Sequence, residues 1–282
     1  MTCFIDGIPY ELREKTDLSF LRAYGQVFHV FDKQDSGNLC FGVNGPYGKL
    51  FIKYAGAQTV NYAGKPMDAV MRLKSAARLY ETFRHSALTP LMNHGMVNAG
   101  SGYALIFRWI DGACLRPLPP DDAVLRRLRL LPLPDKLSML DNLFDFHALV
   151  AEKGYQSVDF DDTNLLIDFA KGRCFLCDID RYAPRPLQNP RGRMPGRSLF
   201  RAPECFIKDA PITETAMVYE MGVLSHLFLG DPTLEDKNKW DGPDLLRRVA
   251  AAALNTRPED RYPSMRTFLH AWRTAVRSSW IY

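Results

Sequence analysis

Residues 158–168 read VDFDDTNLLID: three aspartates and an asparagine within seven positions, then an apolar run closed by a fourth aspartate. Alone, the acidic part is an ordinary surface turn, because Asp and Asn bond their own backbone and favour turns. The residues before it argue against a mere surface. Between 135 and 153, Leu137, Leu140, Leu143, Phe144, Phe146 and Val150 fall close to one helical face, and Gly154 supplies the stop signal. A buried helix therefore delivers the chain into this turn, and LLI leaves it as a strand.

Working outward, the chain before residue 111 reads as strands broken by turn signals. CFIDGIPYEL suggests a hairpin turning at Asp6-Gly7, with Pro9 confining its second arm to a sheet edge. QVFHVFD, LCFGV and KLFIKYA follow, separated by DSGN and NGPYG, and GYALIFRWI is a further strand. Met67, Val70, Met71, Leu79 and Phe83 give one helix over roughly 66–84. Beyond Asp111 the pattern is helical: 215–229 is apolar almost all round, and helices are expected over 244–254 and 264–277.

The 282 residues can bury a large core and suit one two-lobed unit better than two independent domains. With 46% hydrophobic and 24% charged residues, the composition is that of an ordinary globular protein. No apolar run approaches the roughly 20 residues of a membrane-spanning helix. The N-terminus lacks the basic stretch and apolar core of a secretory signal, so a cytoplasmic location without membrane association is expected. A net charge of +4 is too mild to imply nucleic acid. Six scattered cysteines point to reduced thiols; Cys174 and Cys177 form a C-x-x-C with no second pair to complete zinc, and read as two strand residues. From Arg181 to Arg201 there are six arginines and no acidic residue. That run is either a solvated basic loop or a dock for an acidic or phosphorylated group.

In order, GKLFIKYA with Lys53, VDFDDTNLLID, FLCDIDRY and FRAPE resemble the working parts of a eukaryotic-type Ser/Thr protein kinase, over about residues 20–275. The resemblance implies an α+β, bilobal kinase-like fold: an N-terminal extension or hairpin over 1–20, a β-rich N-lobe with one main helix over 21–110, and a mostly helical C-lobe over 111–282. It implies ATP and Mg2+ as cofactors, with Mn2+ as a substitute. Lys53, in the place of the lysine of V-A-I-K, would contact the α- and β-phosphates. Asp159 and Asn164, five apart as in H-R-D-x-x-x-x-N, would orient the acceptor hydroxyl and bind metal. Asp178 stands for the D-F-G aspartate, with Ile179 and Asp180 replacing Phe and Gly, and would hold the metal with Asn164. Gly37 and Leu39 are the matching positions of the glycine-rich loop. Phe107 would back the base pocket, the backbone of Arg108 and Ile110 would bind the base, and Leu166 would form its floor. Glu204 of Ala202-Pro203-Glu204 would pair with Arg261.

The chain also departs from this pattern. Asp32 and Gln34 replace two loop glycines, which implies weaker nucleotide binding. The helix glutamate that would partner the lysine falls at Ala76, with Glu81 the one glutamate of that helix. Ser157 and Val158 replace the His and Arg of the catalytic loop. Met217 replaces the aspartate that braces it, so an apolar contact is expected where the family has a polar anchor. Arg197 occupies the usual threonine site of the activation segment, which argues against a phosphorylation switch, although Ser198 is a candidate site. The reading is a divergent protein kinase with an unknown protein acceptor, and the arginine run hints at an acidic one. A pseudokinase scaffold and a small-molecule kinase on the same fold stay open.

Overall fold

A computed structural model describes residues 1–117, 121–236 and 238–279. Residues 118–120, 237 and 280–282 of the expected C-lobe lie outside the described residues. The chain is α+β, with a β-rich first part and a helical second part. It divides into two compact units: residues 1–84 with 89–111, and residues 85–88 with 112 onward.

The first unit opens with the hairpin β1 (Thr2–Ile5) and β2 (Ile8–Glu11). Asp6 and Gly7 both take positive φ, 49° and 83°, which a tight two-residue hairpin turn demands. The first twenty residues are not a separate extension. Tyr10, Leu12 and Leu18 are buried in one cluster with Leu39, Phe41, Val43, Ile52, Tyr54, Ala104 and Ile106. The strands behind that core are β3 (Gln26–Phe31), β4 (Asn38–Gly45), β5 (Gly48–Ala55), β6 (Leu91–Val97) and β7 (Gly102–Arg108). They form an antiparallel sheet in the order β3-β4-β5-β7-β6. Period-2 alternation turns Phe31, Cys40, Phe51, Lys53, Leu105 and Phe107 to the face opposite that core. Helix α1 (Pro66–Thr82) begins with proline at its first turn and buries Ala69, Val70, Leu73, Ala76, Ala77 and Tyr80. Tyr80 meets Phe107 edge-on at 5.0 Å, so α1 covers part of the lysine face.

In the second unit, short strand β8 (Ala113–Cys114) and short helix α2 (Ala123–Arg129) precede α3 (Leu133–Glu152). Strand β9 (Tyr155–Gln156) follows, then β10 (Leu165–Asp168) and β11 (Arg173–Leu176), which pair antiparallel in a sheet ordered β11-β10-β8. Helix α4 (Glu214–Leu229) is buried on nearly every side, as its all-round apolar sequence requires. Helices α5 (Asp244–Ala253) and α6 (Met265–Ser278) complete the unit. Phe144 of α3 packs edge-on against Phe268 and Trp272 of α6 at 5.0 and 5.1 Å. Residues 85–88 join this unit because Leu176 N–H donates to Ala87 O at 2.7 Å and His85 Nε2 meets Asp145 at 3.1 Å. No helix among the described residues is long and apolar enough to cross a membrane.

Candidate active site

The acidic turn folds through its own side chains. Asp161 caps the 3₁₀ turn Asp162–Asn164: its carboxylate accepts from Thr163 N–H at 2.9 Å, while Asn164 Oδ1 accepts from Asp161 N–H at 3.1 Å. This reciprocal capping satisfies donors at the turn's start. The β10–β11 register then carries residue 177 opposite 164, and Cys177 N–H donates to Asn164 O at 2.8 Å. Asp178 is the next residue along the chain. Its Oδ1 accepts from Asp180 N–H at 2.9 Å. The Cys177 thiol donates to Asn164 O at 3.1 Å, and all six cysteines are free thiols.

Asp159 lies between β9 and this turn, with its side chain 33% exposed and Oδ2 3.2 Å from Arg181 Nε. Burial pushes its carboxyl up to about 6; Arg181 and Arg201 pull it back, while Asp161 and Asp178 push it further. Gly196 leaves room for this carboxylate, since a Cβ there would stand 2.8 Å from Asp159 Oδ1.

The loop's backbone is held by charge, contrary to the apolar anchor expected from Met217. Arg201 donates to Val158 O at 2.9 Å and to Phe160 O, the carbonyls on either side of Asp159. Its guanidinium also meets Glu220 of α4 at 2.9 Å, with both side chains almost fully buried. Ser157 Oγ donates to the other Glu220 oxygen, and Met217 Sδ accepts from Ser157 N–H at 3.4 Å. The polar anchor of this turn is Glu220, three residues along α4 from Met217. Burial raises Glu220 to about 7 against the pull of Arg201 and Ser157. A lone glutamate in MVYEMGVLSHLFLG was the available signal, because a buried charge needs a partner.

Further pairs fasten the surrounding segment. Arg197 binds Asp162 through its guanidinium and Asp161 Oδ2 through its N–H, at 3.1 Å for the latter. Arg185 pairs with Glu214 at 2.6 Å. Four of the six arginines in the run, Arg181, Arg185, Arg197 and Arg201, thus have carboxylate partners within the unit. Arg193 donates to Ser198 Oγ at 3.2 Å. Arg261 grips Glu204 with two parallel bonds of 2.7 and 2.9 Å, both side chains buried. His147 of α3, held neutral by burial at about 4, accepts from Tyr182 OH through Nε2 at 2.9 Å.

In the first unit, Lys53 lies in β5 and is 7% exposed. The two residues expected in the glycine loop are packed as follows. Leu39 is wholly buried in the core on the opposite face; Cys40, paired with Lys53, is the β4 residue on the lysine's face. Gly37, with φ of 78°, leaves no room for a Cβ, which would stand 2.6 Å from the Tyr62 ring. Arg108 N–H is spent on Pro90 O at 3.0 Å, so it is not available to a base. Ile110 is partly buried, as is Leu166 of β10 in the second unit. Phe107 is almost fully buried against Tyr80. Glu81 pairs with His94 Nε2 at 3.1 Å, and Ala76 is buried.

No cluster of three or more His, Cys, Asp or Glu side chains among the described residues could hold a metal unaided. Asn164 and Asp178 still fit magnesium, which takes one or two protein oxygens and completes its shell with phosphate and water. A cavity of 370 Å³ elsewhere in the second unit is lined by His85, Asp141, Asp145, Arg173 and Arg273 among others. Arg273 pairs there with both Asp141 and Asp145 at 2.7 Å, and Arg173 donates to Ser86 O at 3.2 Å. Comparison of the chain with protein-family models and with curated proteins gives no match in either.

Proposed function

We propose that the chain is a divergent, protein-kinase-like phosphotransferase that uses ATP and magnesium and acts in the cytoplasm on a hydroxyl acceptor. The observation that carries this reading is Asp159: a half-buried carboxylate, raised to about 6, with Asn164 and Asp178 positioned by the same turn-and-strand register. A base with that value is deprotonated at neutral pH yet strong enough to take a hydroxyl proton. In this reading an Asp159 oxygen accepts that proton, and Arg181 steadies the other oxygen. Magnesium, when bound, neutralises charge on the transferring phosphoryl group. Asn164 and Asp178 would hold it through side-chain oxygens. Lys53, in β5 of the first unit, is the cation this reading assigns to the phosphates. Arg201 is a positioning residue, fixing the carbonyls on both sides of Asp159.

A second reading, a kinase-shaped binding module without transfer, is favoured by the first unit, where Leu39 faces the core and Gly37 is occupied by Tyr62. Transfer or release of the γ-phosphate of labelled ATP separates the two, with water, protein extract and small hydroxyl compounds as acceptors. The phosphotransferase reading expects magnesium-dependent turnover that drops about 10²–10⁴-fold in Asp159→Asn. Absence of turnover to every acceptor supports the binding module, and equal turnover in the variant removes Asp159 from the chemistry.

A further inference from the structure

Lys53 shares its face of the sheet with a group of aromatic rings. Pairing sets Phe51 opposite Gly42 on one side and Phe107 on the other, and sets Phe31 opposite Cys40. The Phe51 centroid lies 5.8 Å from Phe31, 6.3 Å from Phe107 and 6.4 Å from Trp109. Phe28 meets Trp109 nearly edge-on at 5.0 Å. Gly42 makes this arrangement possible, because a Cβ there would stand 2.6 Å from the Phe28 ring. Phe28, Phe31, Phe51 and Trp109 are only partly buried.

The V-A-I-K strand of the resembled family carries alanine two places before its lysine; this chain carries Phe51. Two strand positions span about 7 Å, so a flat apolar ring and a cation stand side by side on one face. That pairing suits a ligand with an aromatic base at one end and phosphates at the other. Two backbone donors beside the rings are engaged within the sheet, Arg108 N–H with Pro90 O at 3.0 Å and Trp109 N–H with Lys49 O at 3.1 Å.

We propose that Phe51 is a stacking platform for the base of the phosphoryl donor, and that it makes the chain tolerant of base identity, taking GTP about as well as ATP. Stacking on a ring face discriminates weakly, because every base has a π-face. The inference rests on the nucleotide reading above.

The test is calorimetric titration of the full chain, in magnesium, with ATP, GTP and inorganic tripolyphosphate. Wild type is expected to bind ATP and GTP within about threefold of each other. Phe51→Ala should weaken both by about ten- to a hundredfold and leave tripolyphosphate unchanged. Phe51→Leu, which keeps an apolar side chain to preserve the fold, should show a similar loss because leucine has no π-face. Unchanged nucleotide affinity in a folded variant, or strong preference of wild type for ATP over GTP, overturns the proposal. Tripolyphosphate binding as tight as ATP also overturns it while sparing the phosphate and metal site. If wild type binds none of the three, the nucleotide reading itself falls, and this inference with it.

Discussion

The turn around Asp159 and the lysine face of the first unit's sheet are held by opposite means. Around Asp159 the backbone is clamped by ions: Arg201 on Val158 O and Phe160 O, Glu220 on Arg201, and Arg197 on Asp161 and Asp162. Around Phe51 the neighbours are rings and a missing side chain at Gly42. The difference predicts two kinds of failure. A buried ion deprived of its partner stays in a low-dielectric site, so a charge clamp fails abruptly. Ring packing loses contacts in proportion to the atoms removed.

The largest effect should come from breaking the clamp. Glu220→Ala strands the Arg201 guanidinium and is expected to cost about 3–5 kcal/mol in chemical denaturation. The double variant Glu220→Leu with Arg201→Met should recover most of that, since apolar replacement of a buried pair is often neutral. A single-variant cost within the range of a surface pair would show that the clamp carries little.

On the packing side, Gly37→Ala should cost about 1–2 kcal/mol, from a φ unsuited to alanine and from contact with Tyr62. Shortening Tyr62 as well relieves the contact and leaves the φ cost. If Gly37→Ala is silent, the steric account of that glycine is wrong.

A smaller effect sharpens the comparison through pH. Folded Glu220 is raised from an ordinary 4.5 to about 7, and folded Asp159 from 3.8 to about 6. Between those limits the folded state binds more protons than the unfolded one, so these groups lose stabilising effect as pH rises. His147, lowered from 6.5 to about 4, acts in the opposite sense and loses its contribution as pH falls. Subtracting the Glu220→Gln curve isolates Glu220. Relative to that variant, wild type should lose stability as pH rises from about 4.5 to 7. Parallel curves would contradict the burial of this carboxylate.

Much of this was legible in the chain. The hairpin at Asp6-Gly7, helix α1, the length of α3 and the all-round burial of α4 follow from periodicity and turn chemistry. The Glu204–Arg261 pair was legible only through the motif. Strand β6 escaped notice because Pro90, Asn93 and Gly95 dilute its pattern. The burial of Leu39 was missed because one residue of register reverses a strand's faces, and register is set by pairing across the sheet. Arg201 was visible only as part of FRAPE; its partner Glu220 is 19 positions along and becomes its neighbour only in the fold. Long-range charge pairing of that kind has no local signature.

Asn164 and Asp178 are proposed to hold a metal–nucleotide complex for Asp159 to use. Calorimetry of ATP binding, with and without magnesium, on wild type and Asp178→Ala tests it most directly, since no acceptor need be known. Binding is expected to require magnesium and to disappear in the variant. No binding under any condition, or metal-independent binding that the variant retains, would contradict it.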